Sequence, residues 1–438
     1  MDTPTASRLP LRSYQKLGVD FLCSRTSALL ADGMGLGKTI QVIHALRKRF
    51  QSSIDKTALV VAPNALLPNW EHEFARWAPE IYTRCVVGSQ RDRLATYQLP
   101  VPVLICSYDQ IRNDSMFFDS RVRFDIVVLD EAQRIKNSCS ATALACRILP
   151  RRSSWAITGT PLENNQNDLV SIFGFVFRGL IQNGMCRREM HERIRKYFLR
   201  RTKEEVLGEL PPIQIQDLRI QLEPEQAVSY DTVWARRHTV RRDAIKTKGY
   251  AGVLGLITSL KQICNADFNS GSSAKMNWLK SFVGELCKEK VIVFSQYVET
   301  LDFIHRNLKG MLSVNVFHGK MDRRQRRHSI ENFERENGPQ VLLVSLKAGG
   351  VGLNIPSASH IVLFDRWWNP AVEDQAINRA HRFGRTTKLS VFRFITQGTI
   401  EEKIELLLDE KRGLFDAFVG EAPNAEASSF NWLQLLND

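Results

Sequence analysis

The sequence predicts an α/β protein of two tandem parallel-sheet domains, with helical insertions between them and a C-terminal bracing helix. Three observations carry this. A chain of 438 residues exceeds what one hydrophobic core usually holds. Short continuous apolar runs, the pattern of strands covered on both faces, recur between helical stretches. Those runs fall into two series, one on each side of a stretch that lacks them.

The first series is "ALLA" at 28–31, "ALVVAP" at 58–63, "VLICSY" at 103–108, "DIVVLD" at 125–130 and "WAITGT" at 155–160, which places a first domain at 1–167. From 168 to 274 the rhythm gives way to mostly helical sequence with basic clusters in "CRREMHERIRKYFLRRTKEEV" and "WARRHTVRRDAIKTK". This segment reads as insertions and a linker, closed by the flexible "NSGSSAK". The second series, "VIVFSQY" at 291–297, "VNVFHG" at 314–319, "VLLVSL" at 341–346, "HIVLFD" at 360–365 and "VFRFI" at 391–395, places a second domain at 275–398. Beyond it, 399–438 reads as the bracing helix and a tail: Ile400, Ile404, Leu407, Leu414 and Phe418 fall on one helical stripe with charges opposite.

Lys and Arg outnumber Asp and Glu by 60 to 47, a formal net charge of +13, which favours a polyanionic partner and nucleic acid first. The eight cysteines are scattered, with no CxxC pair and no His/Cys cluster at zinc-ligand spacing, and several, such as Cys106 in "VLICSY", sit inside apolar runs and read as small buried residues in a reducing compartment. "MDTPTASRLPLRSYQ" lacks the apolar core of a signal peptide, and no apolar stretch reaches the length of a membrane span. No membrane partner is therefore expected, and the expected location is intracellular: cytoplasm or nucleoid, or the nucleus for a eukaryotic or viral source.

The chemistry begins at "ADGMGLGKTI". Alternate glycines at Gly33, Gly35 and Gly37 let the backbone turn tightly and aim N–H groups at phosphate oxygens, and a helix starting near Lys38 adds its positive end. Lys38 would reach the β and γ phosphates, and Thr39 would ligate magnesium. The strict GxxxxGK[ST] loop is not met, because Asp32 stands where its first glycine belongs. "DIVVLDEAQ" is an apolar strand ending in Asp130 and Glu131, where a parallel sheet presents its ligands. Asp130 would hold the metal ion, and Glu131 would orient and deprotonate an attacking water. In "QAINRAHRFGR", Gln375, Arg379 and Arg382 share a helical face, and the arginines have the chemistry to neutralise a leaving γ-phosphate.

In order along the chain, "LRSYQ" at 11–15, "DGMGLGKT", "DEAQ", "TGTP" at 158–161, "FLRRTKEEVLGELPP" at 198–212, "SLKAGGVGLN" at 345–354 and "WWNPAVEDQAINRAHRFGR" at 367–385 resemble the motifs of the Swi/Snf ATPase family of superfamily-two helicase-like motors. The resemblance implies two RecA-like domains, with ATP and Mg2+ as cofactors. It implies that Gln15 reads the adenine, that Asp32, Gly33, Met34, Gly35, Leu36, Gly37, Lys38 and Thr39 form the phosphate loop, and that Gly350 and Gly352 lie near the nucleotide. Arg379 and Arg382 become arginine fingers, and Thr158 and Thr160 couple the nucleotide to the nucleic-acid track. The expected DNA contacts are Asn64, Ser107, Tyr108, Arg200, Arg201, Gln296, Ser345, Lys347 and Asn354, mostly to phosphates, since a motor that travels cannot depend on base sequence. Trp70, Phe74 and Trp77 have helical spacing and read as core packing. Two positions depart from the family pattern: Leu346 replaces a threonine, and Arg385 replaces a glutamine.

The function so implied is ATP-dependent translocation on double-stranded DNA, with ATP hydrolysed to ADP and phosphate between the two domains and protein–DNA or DNA structures remodelled. A monomer is expected. The motor motifs fill the chain, so accessory modules are expected to be absent or supplied by protein partners, which favours a compact translocase over a nucleosome remodeller. Two other readings stay open: a strand-separating or strand-annealing helicase on the same core, and a nucleotide-gated DNA-binding scaffold without turnover.

Overall fold

A computed structural model describes residues 10–52, 55–118, 122–159, 166–206, 213–247, 251–286, 289–335, 340–346, 355, 357–367, 370–381, 388–408 and 435–436. The chain divides into two compact units, Met1–Glu209 and Leu210–Asp438. Among the described residues no helix is long and apolar enough to cross a membrane.

The first unit holds a seven-stranded sheet of β1 (Ser27–Leu30), β2 (Ala58–Ala62), β3 (Thr83–Cys85), β4 (Val103–Ser107), β5 (Phe124–Asp130), β6 (Arg151–Ile157) and β7 (Phe198–Leu199), in the order β3-β4-β2-β5-β6-β1-β7. Every pairing is parallel. β2 and β4 are buried at all five positions, because helices cover both faces and leave no place for alternating polar residues. Those helices include α1 (Ser13–Cys23), α2 (Lys38–Gln51) and α3 (Leu67–Trp77).

The second unit holds a six-stranded, wholly parallel sheet of β8 (Ile213–Ile220), β9 (Lys290–Ser295), β10 (Ser313–Phe317), β11 (Gln340–Ser345), β12 (His360–Leu363) and β13 (Leu389–Thr396), in the order β10-β11-β9-β12-β13-β8. Residues 400–408 are helical, and Ile400, Ile404 and Leu408 enter a core cluster with Tyr230, Val253, Ile257 and Leu260. Of the expected stripe, Ile400 and Ile404 are in this core and Leu407 packs against it only partly buried, with Leu408 buried instead; Leu414 and Phe418 lie outside the described residues.

The segment 168–274, read from sequence as helical, also supplies a strand to each sheet. β7 pairs with β1, and β8 runs beside β13 for its full length. β8 is an edge strand whose residues Gln214, Ile215, Gln216 and Asp217 are exposed, so its "IQIQDLRI" lacks the continuous apolar run that marks a covered strand.

Candidate nucleotide site and nucleic-acid residues

Three strands deliver the candidate site to one edge of the first sheet. Ile157 of β6 is in register with Leu30 of β1 on one side and with Asp130 of β5 on the other. The phosphate loop, the "TG" of 158–159 and the Asp130–Glu131 pair therefore leave the sheet at the same level, at the carboxyl ends of its strands, where parallel sheets bind ligands.

The loop turns through left-handed backbone at Gly35 (φ +83°) and Gly37 (φ +75°), and Gly37 opens α2 without a side-chain cap. Uncapped N–H groups at a helix start suit a phosphate, and Thr39 stands at the second residue of α2. Leu36 is buried, and its carbonyl accepts from Tyr14 Oη at 3.3 Å, Gln15 Nε2 at 3.4 Å and Gln41 Nε2 at 3.2 Å. A Cβ on Gly37 would come within 2.7 Å of Gln15 Nε2, so the expected adenine-reading glutamine lies against the loop itself. Lys38 Nζ donates to the carbonyls of Asp32 at 2.7 Å and Gly33 at 3.1 Å. Gly159 approaches from β6: a Cβ there would lie 2.6 Å from Met34 Cγ and 3.5 Å from Lys38 Nζ.

Asp130 is buried. Its Oδ2 accepts from Trp70 Nε1 at 2.8 Å, its Oδ1 accepts from the Glu131 amide at 2.9 Å, and its carbonyl accepts from the Tyr108 hydroxyl at 2.7 Å. Burial pushes its carboxyl up to about 7, helped by the Glu131 charge and opposed by the Trp70 hydrogen bond and the Lys38 ammonium. Glu131 has φ +52°, the one positive φ outside glycine among the described residues. Its Oε2 accepts from Gln133 Nε2 at 2.7 Å, and Gln133 Oε1 accepts from Thr158 Oγ1 at 2.6 Å. Strained backbone thus aims the expected base, and a relay of two hydrogen bonds ties it to the end of β6.

The donor set fits a magnesium nucleotide: a glycine turn, an uncapped helix start, a lysine on the loop, a threonine hydroxyl and a buried carboxylate at one sheet edge.

The expected DNA residues of the first unit divide. Asn64 is exposed at the start of the short helix before α3. Ser107 is buried and caps the helix Tyr108–Asn113 by accepting from the Gln110 amide at 3.2 Å. Tyr108 is buried against Asp130, and Arg200 is half-buried. The Arg201 guanidinium turns to the phosphate loop: Nε donates to Asp32 Oδ1 at 2.9 Å and Nη2 to Oδ2 at 2.5 Å. Ser107, Tyr108 and Arg201 are thus engaged by the Tyr108–Asn113 helix, by Asp130 and by the glycine loop at Asp32 respectively.

In the second unit, Gln296 is held by Asp365, whose Oδ1 accepts from the Gln296 amide at 3.1 Å and from Nε2 at 2.8 Å. Asp365 Oδ2 accepts from Ser295 Oγ at 2.5 Å and Asn265 Nδ2 at 3.0 Å. Ser345 is buried at the end of β11, in register with Ser295. Gln375 lies on the helix Pro370–Ala380, which also carries the backbone of Arg379. Thr160, Lys347, Gly350, Gly352, Asn354, Arg382 and the Arg379 side chain lie outside the described residues.

Residues 14–269 match the SNF2-related domain, and residues 274–384 match the helicase conserved C-terminal domain. The chain belongs to the SNF2-related family. It is 35% identical to an uncharacterised ATP-dependent helicase of Mycoplasma genitalium, over 92% of this chain and 42% of that protein. It is 29% identical to the ISWI chromatin-remodeling complex ATPase of Saccharomyces cerevisiae, over 90% of this chain and 39% of that protein. The chain thus spans less than half the length of these relatives. A solved SWI2/SNF2 ATPase core of Sulfolobus solfataricus in complex with dsDNA is 28% identical over 96% of this chain and 95% of that one, with a TM-score of 0.47.

Several polar residues that organise this SNF2-related chain escaped the sequence reading. Trp70 read as core, and it is fully buried, yet its indole N–H serves Asp130. Gln41 sits on an apolar helix face, where only a buried partner explains an amide. In the second unit, buried Lys275 donates to Glu401 Oε1 at 2.6 Å, Asn265 Oδ1 at 3.1 Å and the Phe364 carbonyl at 2.9 Å. A lysine in "SSAKMNW" gives no sign in sequence of being interior, because its partner lies 126 residues away.

Proposed function

We propose that the chain is the motor of an ATP-dependent translocase on double-stranded DNA. The observation that carries the reading is the register at Ile157, which brings the loop with Lys38 and the pair Asp130 and Glu131 to one edge of one sheet. In this reading the loop amides and Lys38 bind the β and γ phosphates, Thr39 and Asp130 hold Mg2+, and Gln15 fixes the base. The metal ion, when bound, polarises the triphosphate. Glu131, aimed by Gln133, takes the proton of the attacking water. Arg379 and Arg382 are proposed to neutralise the leaving phosphate, with Gln375 beside them, and Gly350 and Gly352 to border the nucleotide.

The net charge of +13 and family membership support DNA as the partner. Asn64, Arg200, Gln296, Ser345, Lys347 and Asn354 remain the proposed contacts. Strand separation is the alternative activity on the same core, and nucleotide-gated binding without turnover is the other.

The test compares phosphate release without nucleic acid and with single-stranded DNA, duplex DNA and RNA across a salt series. Strong duplex stimulation that falls steeply with salt and vanishes in Glu131→Gln is expected. Equal stimulation by RNA would overturn the substrate, and turnover that persists in Glu131→Gln would overturn the site.

A further inference from the structure

A buried carboxylate within a phosphate-binding loop needs a physical reason, because it repels the anion that the loop is shaped to receive. Asp32 is 0% exposed and stands where the strict loop has glycine. Its two oxygens meet the fork of Arg201, Oδ1 at 2.9 Å from Nε and Oδ2 at 2.5 Å from Nη2, the planar bidentate match that arginine alone offers. Gln41 Nε2 adds a third donor to Oδ2 at 3.1 Å while also donating to the Leu36 carbonyl.

Arg201 makes further contacts at the same point. Nη2 donates to Gln41 Oε1 at 3.0 Å, and Nη1 donates to the Tyr14 carbonyl on α1. The main chain joins as well: the Ala31 amide donates to the Leu199 carbonyl at 2.7 Å and the Gly33 amide to the Arg201 carbonyl at 2.8 Å, so 199–201 extends beside the loop as β7 does beside β1. α1 makes room with Gly18, where a Cβ would fall 1.7 Å from Gln41 Oε1 and 2.9 Å from Arg201 Nη2. Residue choices on four separate segments, Gly18, Asp32, Gln41 and Arg201, thus converge on one guanidinium. The Arg201 side chain is 12% exposed, which leaves little of it for a DNA phosphate.

We infer that Arg201 is a positioning residue for nucleotide binding: with Asp32 and Gln41 it clamps the phosphate loop to α1, α2 and the segment after β7, and holds the loop amides in their phosphate-binding arrangement before nucleotide arrives. The clamp neutralises Asp32, so the loop remains receptive to an anion, and it makes nucleotide affinity depend on residues 198–201. The inference rests on the reading that residues 32–39 bind a nucleoside triphosphate.

The experiment uses the full chain and measures affinity for fluorescent mant-ADP with Mg2+, affinity for a short DNA duplex, the ATPase KM and kcat, and the thermal midpoint. Variants are Arg201→Lys, Arg201→Gln, Asp32→Asn and Asp32→Asn/Arg201→Gln, with Lys38→Ala as control. Arg201→Gln is expected to weaken mant-ADP by about tenfold and raise KM likewise, with kcat and duplex affinity within about twofold of wild type. Arg201→Lys is expected not to restore binding, since an ammonium is a point charge that cannot bridge two oxygens and Gln41. The double variant is expected to be no weaker than Arg201→Gln alone, because both lesions break one clamp. Loss of duplex affinity with unchanged mant-ADP binding would overturn the clamp and make Arg201 a DNA contact. Full rescue by Arg201→Lys, or equal mant-ADP affinity in all folded variants, would overturn it as well. If Arg201→Gln does not fold, Arg201→Lys and Asp32→Asn decide by the same criteria. Wild-type protein that fails to bind mant-ADP, or binds it as Lys38→Ala does, would instead overturn the nucleotide reading itself.

Discussion

The Trp70 indole N–H donates to Asp130 Oδ2 at 2.8 Å, and both side chains are buried in the first unit. One is on α3, just after the exposed Asn64 proposed to touch DNA, and the other is the proposed metal ligand. A single hydrogen bond therefore joins the two halves of the proposed chemistry. It also favours the charged form of a carboxyl that burial pushes the other way.

Trp70→Phe keeps the ring in the core and removes the donor. The unfolding free energy is expected to fall by about 1–3 kcal/mol, the effect of leaving a buried acceptor short of a partner. The Mg2+ concentration for half-maximal ATP hydrolysis is expected to rise about tenfold, as when an outer hydrogen bond to a metal ligand is lost. A magnesium titration of ATPase activity checks this, and an unchanged midpoint would separate Trp70 from the metal site.

Gly37 combines φ +75° with a neighbour, Gln15 Nε2, that a Cβ would approach to 2.7 Å. Gly37→Ala therefore strains the backbone by about 1–2 kcal/mol and displaces Gln15. Nucleotide affinity is expected to fall, and Gln15→Ala is expected to add less in the Gly37→Ala background than in wild type. Binding titrations of the two single variants and the double variant measure this, and strict additivity would show that Gln15 acts independently of the loop.

The ion pair Lys275–Glu401 ties the helical segment 400–408 to the helix Ala274–Glu285, with side chains 1% and 0% exposed. Glu401→Leu strands a buried ammonium and is expected to cost about 3–5 kcal/mol in urea unfolding. The double variant Lys275→Met/Glu401→Leu is expected to be more stable than Glu401→Leu, because no uncompensated charge remains. A double variant that loses the sum of the two single effects would contradict this.

Lys261 Nζ donates to the Arg366 carbonyl at 2.6 Å, fully buried and facing Asp365, Glu401, Lys275 and Glu373. Burial lowers its pKa from 10.5 to about 8. The unfolded chain therefore binds more protons than the folded one between those values, so this group makes stability rise with pH across that window. Below pH 8 its charged form is buried at full penalty, about 3 kcal/mol by linkage. Relative to wild type, Lys261→Met is expected to gain stability at pH 7 and to lose that advantage toward pH 10. Chemical unfolding of both proteins at the two pH values tests the difference, and a pH-independent difference would contradict it.

Much of this was legible in the sequence because it is local. Continuous apolar runs report strands covered on both faces, and the strands β1, β2, β4, β5 and β6 lie where those runs stand. Asp130 and Glu131 end an apolar run, and Lys38 follows alternate glycines, so adjacency alone marked them. Pairings across long separations left no such trace. Arg201 stands in a basic cluster and reads from sequence as a DNA contact, and only the folded chain brings it to its partner Asp32, 169 residues away. Trp70 had helical spacing that fits any core residue, and the indole N–H has no periodicity. β8 is an edge strand with Gln214, Ile215, Gln216 and Asp217 exposed, so it lacks the continuous apolar run by which the covered strands are read; the alternation in "IQIQDLRI" is the signal that could have found it.

Displacement of a third strand from a DNA triplex tests translocation most directly, because a motor moving on the duplex must push off whatever lies in its path. With ATP and Mg2+, wild-type protein is expected to release the third strand while the duplex stays paired, and Glu131→Gln is expected to release none. Separation of a forked duplex with the triplex left intact, or third-strand release that Glu131→Gln retains, would contradict ATP-driven movement along double-stranded DNA.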